Sequence, residues 1–250
     1  EITKEILRYE NEDGERVVDL ILDSSGQKGT GKWTARAALD YGQPLSLIAE
    51  AVFARCLSSF KEERVEAAKS FTHSEYVFNG DKKLFVDNLK QALYASKIIS
   101  YTQGFQLLKA ASNEYKWDLN LGEIALLWRG GCIIRSVFLN QIKNAYDNNN
   151  HLSNLLMDPF FNTVINESQD SWRAVMKEAI SFGIPTPAMS SALAYFDGYK
   201  SEKLPSNLLQ AQRDYFGAHT YERIDKDRGL FFHTNWTGKG GQTSSSSYQV

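Results

Sequence analysis

Between Gly26 and Lys32 the chain reads Gly-Gln-Lys-Gly-Thr-Gly-Lys, a segment in which backbone and side chains can both serve an anion. Glycines at 26, 29 and 31 let amide N–H groups come close to a negatively charged guest. Lys28 and Lys32 add positive charge, and the Thr30 hydroxyl can donate a hydrogen bond. The pattern nearly matches the phosphate-gripping loop G-x-x-x-x-G-K-[ST]. That loop needs a hydroxyl after its lysine to hold a magnesium ion. Trp33 stands there instead, and an indole cannot be the ligand. No convincing acidic companion strand is present either, so a nucleoside-triphosphatase is rejected. The physics of the loop survives that rejection. A helix expected to start near Thr34 would turn the positive end of its dipole toward the same guest. The plain alternative is a Gly-rich turn with solvated lysines.

Three further residues could meet an anion. Arg55 lies in Glu50-Ala-Val-Phe-Ala-Arg-Cys-Leu, an otherwise apolar helical stretch. A guanidinium buried there needs a partner, because an unpaired buried charge costs several kcal/mol. Glu50 is the structural candidate. A ligand phosphate or carboxylate is the functional one, since Arg grips either with two prongs. Arg213 falls near the end of an expected helix, and His219 follows the stop at Gly217. A lone His is more often structural than functional. The four histidines show no metal-ligand spacing, so no metal site is expected.

The elements that must position these residues are helical. Ile2, Ile6 and Tyr9 open the chain with an apolar helical stripe. Val17 to Leu22 reads as a strand or a buried helical turn, and Ser24 to Gly31 as a loop. Apolar residues from Lys82 to Ser112 recur at helical period, with Gly104 a possible close-packing point. Asn120 and Glu123 form a capping-box pattern that opens a second long helix, expected to run to about Tyr146. Gly130 and Gly131 would lie inside it at a cost of roughly 1 kcal/mol each, as if another backbone came close. Further helices are expected over 171–182, 186–199 and 206–216. There is no period-2 strand series and no internal repeat. The predicted class is all-α: residues 1–237 as one helical domain, then a tail at 238–250 whose Gly, Ser and Thr content suggests disorder.

The net charge of -2 offers no global field for nucleic acid. No apolar run is long enough to span a bilayer, and no signal pattern opens the chain. Cys56 and Cys132 make no disulfide framework and read as buried thiols in a reducing compartment. These points lead to a cytoplasmic expectation. Two N-x-[ST] matches, at Asn166 and Asn235, are taken as chance.

The segment Ile21-Leu-Asp23-Ser-Ser-Gly26-Gln-Lys28-Gly-Thr30-Gly31-Lys-Trp33 resembles the signature of the 6-phosphogluconate dehydrogenases. Five more stretches strengthen the likeness: Glu50 to Ser59, Leu93 to Tyr101, Trp128 to Ser136, Gln212 to His219 and Phe232 to Thr237. It covers essentially the whole chain and is similar to the eukaryotic type. The resemblance implies an enzyme that oxidises 6-phosphogluconate with NADP, releases carbon dioxide and gives ribulose 5-phosphate, without a metal. Lys28, Thr30 and Arg55 would contact the substrate from one subunit of a homodimer. Arg213 and His219 would complete the partner's site. The tail would then be extended rather than disordered, reaching NADP in the partner through Ser245, Ser246, Ser247 and Tyr248. The family's Rossmann domain with its GxGxxG turn has no counterpart here, nor do its Lys base and Glu acid. No residue of this chain is therefore assigned as catalytic, and the chain is expected to be one portion of a larger enzyme. The alternative for the isolated 250 residues is a non-catalytic helical module for dimerisation and anion binding.

Overall fold

The computed structural model of the protein describes residues 2–26, 28–72, 76–134 and 136–238. Helices run α1 Ile2–Arg8, α2 Val17–Leu20, α3 Thr30–Asp40, α4 Ser46–Ser58, α5 Lys61–Ser70, α6 Lys82–Tyr115, α7 Leu121–Leu127 and α8 Leu139–Asn148. They continue as α9 Pro159–Ser181, α10 Pro187–Lys200 and α11 Ser206–Gly217, followed by a short antiparallel pair, β1 Tyr221–Glu222 with β2 Phe231–Phe232. The all-α reading holds. By its contacts the chain divides into two units, Glu1–Tyr195 and Phe196–Val250.

In the first unit α6 packs along α9. Asp81 caps α6, its carboxylate accepting from the Lys83 and Leu84 amides at 2.8 and 3.1 Å. Ala92, Ala95, Ser96, Ile99, Thr102 and Gln103 are buried at spacings of three and four, which is one stripe of a helix. Phe161, Ile165, Ser168, Trp172, Val175 and Met176 face inward from α9 by the same rule. Truncating Phe105 or Trp172, both essentially solvent-free, to Ala would cost roughly 3–5 kcal/mol.

The periodicity from Lys82 to Ser112 predicts α6 closely. The second long helix does not form. Helix α7 stops at Leu127, α8 starts at Leu139, and the residues described between them are not helical. Gly131 sits at φ +67°, a left-handed conformation no α-helix can contain. Among the described residues, nothing lies within 4 Å of a side chain built at Gly130 or Gly131. These glycines break the helix rather than admit a neighbour. Gly104 likewise has open space around it.

Other boundaries move. Helix α9 begins twelve residues before the expected Ser171, because Asp158 caps it through the Phe160 and Phe161 amides and Pro159 suits its first position. Residues 17–20 form a helical turn, not a strand, with Val17 and Val18 half-buried and none of the four fully buried. Leu20, Ile21 and Leu22 remain open to solvent. Cys56 and Cys132 are half-buried, less enclosed than expected.

Candidate functional site

The signature loop ends where α3 begins. Gly29, at φ +120°, takes the N-cap position, and the Trp33 amide donates to its carbonyl at 2.8 Å. The helix therefore starts at Thr30, four residues earlier than expected. Gly31 falls in the first turn, against α4. A Cβ on Gly31 would come within 2.7 Å of Val52 Cγ2, so only glycine lets the two helices meet at this distance. That approach leaves a cavity of about 230 Å³ lined by Lys28, Gly29, Thr30, Gly31, Val52 and Arg55. Two of the expected substrate residues, Lys28 and Thr30 of the loop, thus share one small hollow with a third, Arg55 of α4, at a helix N-terminus.

Arg55 differs from its expectation. It is exposed, and its partner is not Glu50. Its Nε donates to Ser25 Oγ at 3.2 Å, and its guanidinium also bonds the Gly26 carbonyl. The helical spacing put Arg55 on an apolar helix but did not show that its face stays open. Among the described residues no carboxylate pairs with Arg55 or Lys28, so the cavity carries uncompensated positive charge.

The loop is fastened from the other side by Asp23. Its carboxylate pairs with Lys61 and, at 3.1 Å, with Arg64. Arg64 also bonds the Asp23 and Ser58 carbonyls, each at 3.0 Å. Ser25 N–H donates to Ser58 Oγ at 2.9 Å. The hydrogen bonds from Lys61, then Arg64, hold the Asp23 carboxyl down at about 2. Sequence reasoning quoted Asp23 within the signature but gave it no role.

In the second unit, Arg213 lies on α11 just before its last turn, exposed, with Nη1 donating to Gln210 Oε1 at 2.9 Å. Among the described residues no carboxylate pairs with it. His219 follows the helix end and is half-buried. Between them in sequence, Asp214 is completely buried. Its Oδ1 receives the Thr220 amide and His233 Nδ1, each at 3.0 Å. Its Oδ2 receives the Thr234 amide at 3.0 Å and the Trp236 indole at 2.9 Å. Burial opposes ionisation of Asp214, but these four bonds prevail and hold its carboxyl below the usual carboxylate range. Sequence reasoning missed this hub. The motifs Gln212 to His219 and Phe232 to Thr237 contain its parts, but no spacing rule pairs them. Ser245, Ser246, Ser247 and Tyr248 lie outside the described residues.

The family model for the 6-phosphogluconate dehydrogenase C-terminal domain matches residues 1–236. The chain belongs to that family. It is 57% identical, over its whole length, to the human 6-phosphogluconate dehydrogenase, decarboxylating, of which it covers 52%. It is 58% identical to the Caenorhabditis elegans enzyme of the same name, again covering 52% of it. A solved Plasmodium falciparum 6-phosphogluconate dehydrogenase superposes with a TM-score of 0.90 at 47% identity, over 94% of this chain and 50% of that one. That protein was studied in its apo form, with its cofactor NADP+ and with its substrate 6-phosphogluconate. The chain spans about half the length of these relatives. In this 6-phosphogluconate dehydrogenase domain the signature loop builds the cavity wall, while Arg213 and His219 sit in the second unit.

Proposed function

We propose that this chain is the substrate-gripping and dimerising part of an NADP-dependent oxidative decarboxylase that converts 6-phosphogluconate to ribulose 5-phosphate, carbon dioxide and NADPH. One observation carries the proposal: Lys28, Thr30 and Arg55 line one cavity at the start of α3, and among the described residues no carboxylate pairs with its cations. A phosphorylated sugar acid supplies the matching anion, and Arg and Lys bind its oxygens through charge-assisted bonds. In this reading Lys28, Thr30 and Arg55 hold the substrate within one subunit. Arg213 and His219 reach the partner's site, which makes the homodimer necessary for activity. Ser245, Ser246, Ser247 and Tyr248 approach NADP, whose nicotinamide accepts the hydride when bound. The general base and acid come from outside these 250 residues. A cytosolic location accompanies this reading, and no described helix is long and apolar enough to cross a membrane.

The test follows NADP reduction on adding 6-phosphogluconate to the full-length enzyme. Arg213→Ala should weaken substrate binding by about 2–4 kcal/mol, as for loss of a charge-assisted phosphate contact. An unchanged KM would sink the assignment. Mixing Arg213→Ala chains with Arg55→Ala chains should restore partial activity, because some mixed dimers then carry one intact site. No recovery, with mixed dimers shown to form, would mean that the sites are not shared.

A further inference from the structure

His219 is carried by a turn whose two flanking residues adopt a conformation that L side chains avoid. Ala218 lies at φ +50° and Thr220 at φ +51°. Neither is glycine, and a β-branched residue such as Thr220 is strongly disfavoured there. Strain of this kind persists only where the surroundings over-determine it, and it gathers where a side chain must be aimed.

Both flanks are tied to one residue. The Ala218 amide donates to the Asp214 backbone carbonyl at 2.8 Å, a bond that any residue at 214 could accept. The Thr220 amide donates to Asp214 Oδ1, a bond that needs the side chain. The remaining partners, His233, Thr234 and Trp236, fix the carboxylate itself against the segment around β2. Two donors meet each oxygen, so only a carboxylate satisfies them all. An amide in its place would turn its NH2 toward at least one N–H. A buried charge is a poor device for stability alone, since well-packed apolar groups often do as well. Its place at the foot of a strained turn gives it a geometric task.

We propose that Asp214 is a positioning residue: through the Thr220 amide it holds the turn 218–220 so that His219, together with Arg213, meets the oxygens of a phosphorylated sugar acid. The inference rests on the reading that Arg213 and His219 bind that substrate.

Thr220→Pro in the full-length dimeric enzyme isolates this role. Proline has no amide hydrogen and cannot reach φ +51°, yet it leaves Asp214 its other three partners. The KM for 6-phosphogluconate should rise about tenfold, with the KM for NADP nearly unmoved; the melting temperature should fall, since the bonded amide and the native φ are both lost. Asp214→Asn should raise the same KM. Thr220→Gly, which takes positive φ without help, should recover much of that loss when added to Asp214→Asn. An unchanged KM for 6-phosphogluconate in Thr220→Pro overturns the positioning role. So does an equal rise in both KM values, which would make the turn merely structural. Arg213→Ala, measured alongside, separates two failures. If it too leaves the KM unmoved, the substrate-binding reading of the arm falls. If it raises the KM and Thr220→Pro does not, only the role of Asp214 falls. Should Asp214→Asn fail to fold, Thr220→Pro decides alone.

Discussion

Around the signature loop the fastening bonds lie at the surface. Asp23 is more than half exposed, and Arg55, Ser25 and Ser58 meet beside it in contact with water. Around the Asp214 turn the fastening carboxylate is fully enclosed and serves four donors at once. The loop uses glycine to reach its conformation, whereas the turn forces Ala218 and Thr220 into theirs. Among the described residues, Lys28 and Arg55 in the one and Arg213 in the other have no carboxylate partner. The contrast teaches that a loop or turn can be held by many weak, solvated ties or by one buried group. The two solutions should fail differently.

The largest expected effect comes from removing the buried group. Asp214→Ala leaves two amides and an indole N–H without their acceptor and should cost about 3–5 kcal/mol in urea unfolding. A cost below about 1 kcal/mol would erase the contrast, since surface ties are of that size. Next in size is Gly31→Ala, which drives a methyl group into Val52. Its cost should be about 1–3 kcal/mol by overpacking, and adding Val52→Ala should recover part of it. Failure of that recovery would place the need for glycine elsewhere.

Asp23→Asn should have a smaller effect, a slight fall in melting temperature that vanishes in about 1 M salt because the ion pairs are exposed. Persistence of the fall in salt would move Asp23 into the same class as Asp214. Acidification gives the finest test. Both carboxyls have folded pKa values below their ordinary one of 3.8, so both stabilise above that value and lose their contribution as pH falls through the folded pKa. For Asp23 that window runs from about pH 4 to about 2. Trp236 fluorescence should stay constant at pH 5 and change only below the ordinary carboxylate range, because its indole reports on Asp214. A change near pH 5 would contradict the depressed value.

Sequence made some of this legible and hid the rest for physical reasons. The stripe of α6 was readable because one helix face buries against one partner. The helix expected from Asn120 to Tyr146 was not, because its apolar pattern continues through a break that one positive φ at Gly131 imposes. The cluster of Lys28, Thr30 and Arg55 was gathered by resemblance. Their meeting in one cavity depends on the close contact of Gly31 with Val52, which no periodicity reveals. Burial of Arg55 was inferred from its apolar neighbours, but a helix face can be apolar and still open, as Phe53 and Leu57 show. Asp214 was hidden most completely, since its partners come from two separate short stretches, Thr220 and His233 to Trp236.

The bonds that build the two regions share a property of order in time. Those of the loop close chain segments of 29 to 41 residues, and those of the Asp214 turn close 6 to 22. Contacts between α6 and α9 join stretches much further apart along the chain. Short closures form sooner than long ones, because less chain entropy is lost before the contact is made. During synthesis, the signature loop can therefore knit together once the chain has emerged through α5. Helix α6 can dock afterwards against α4, whose loop already has its shape.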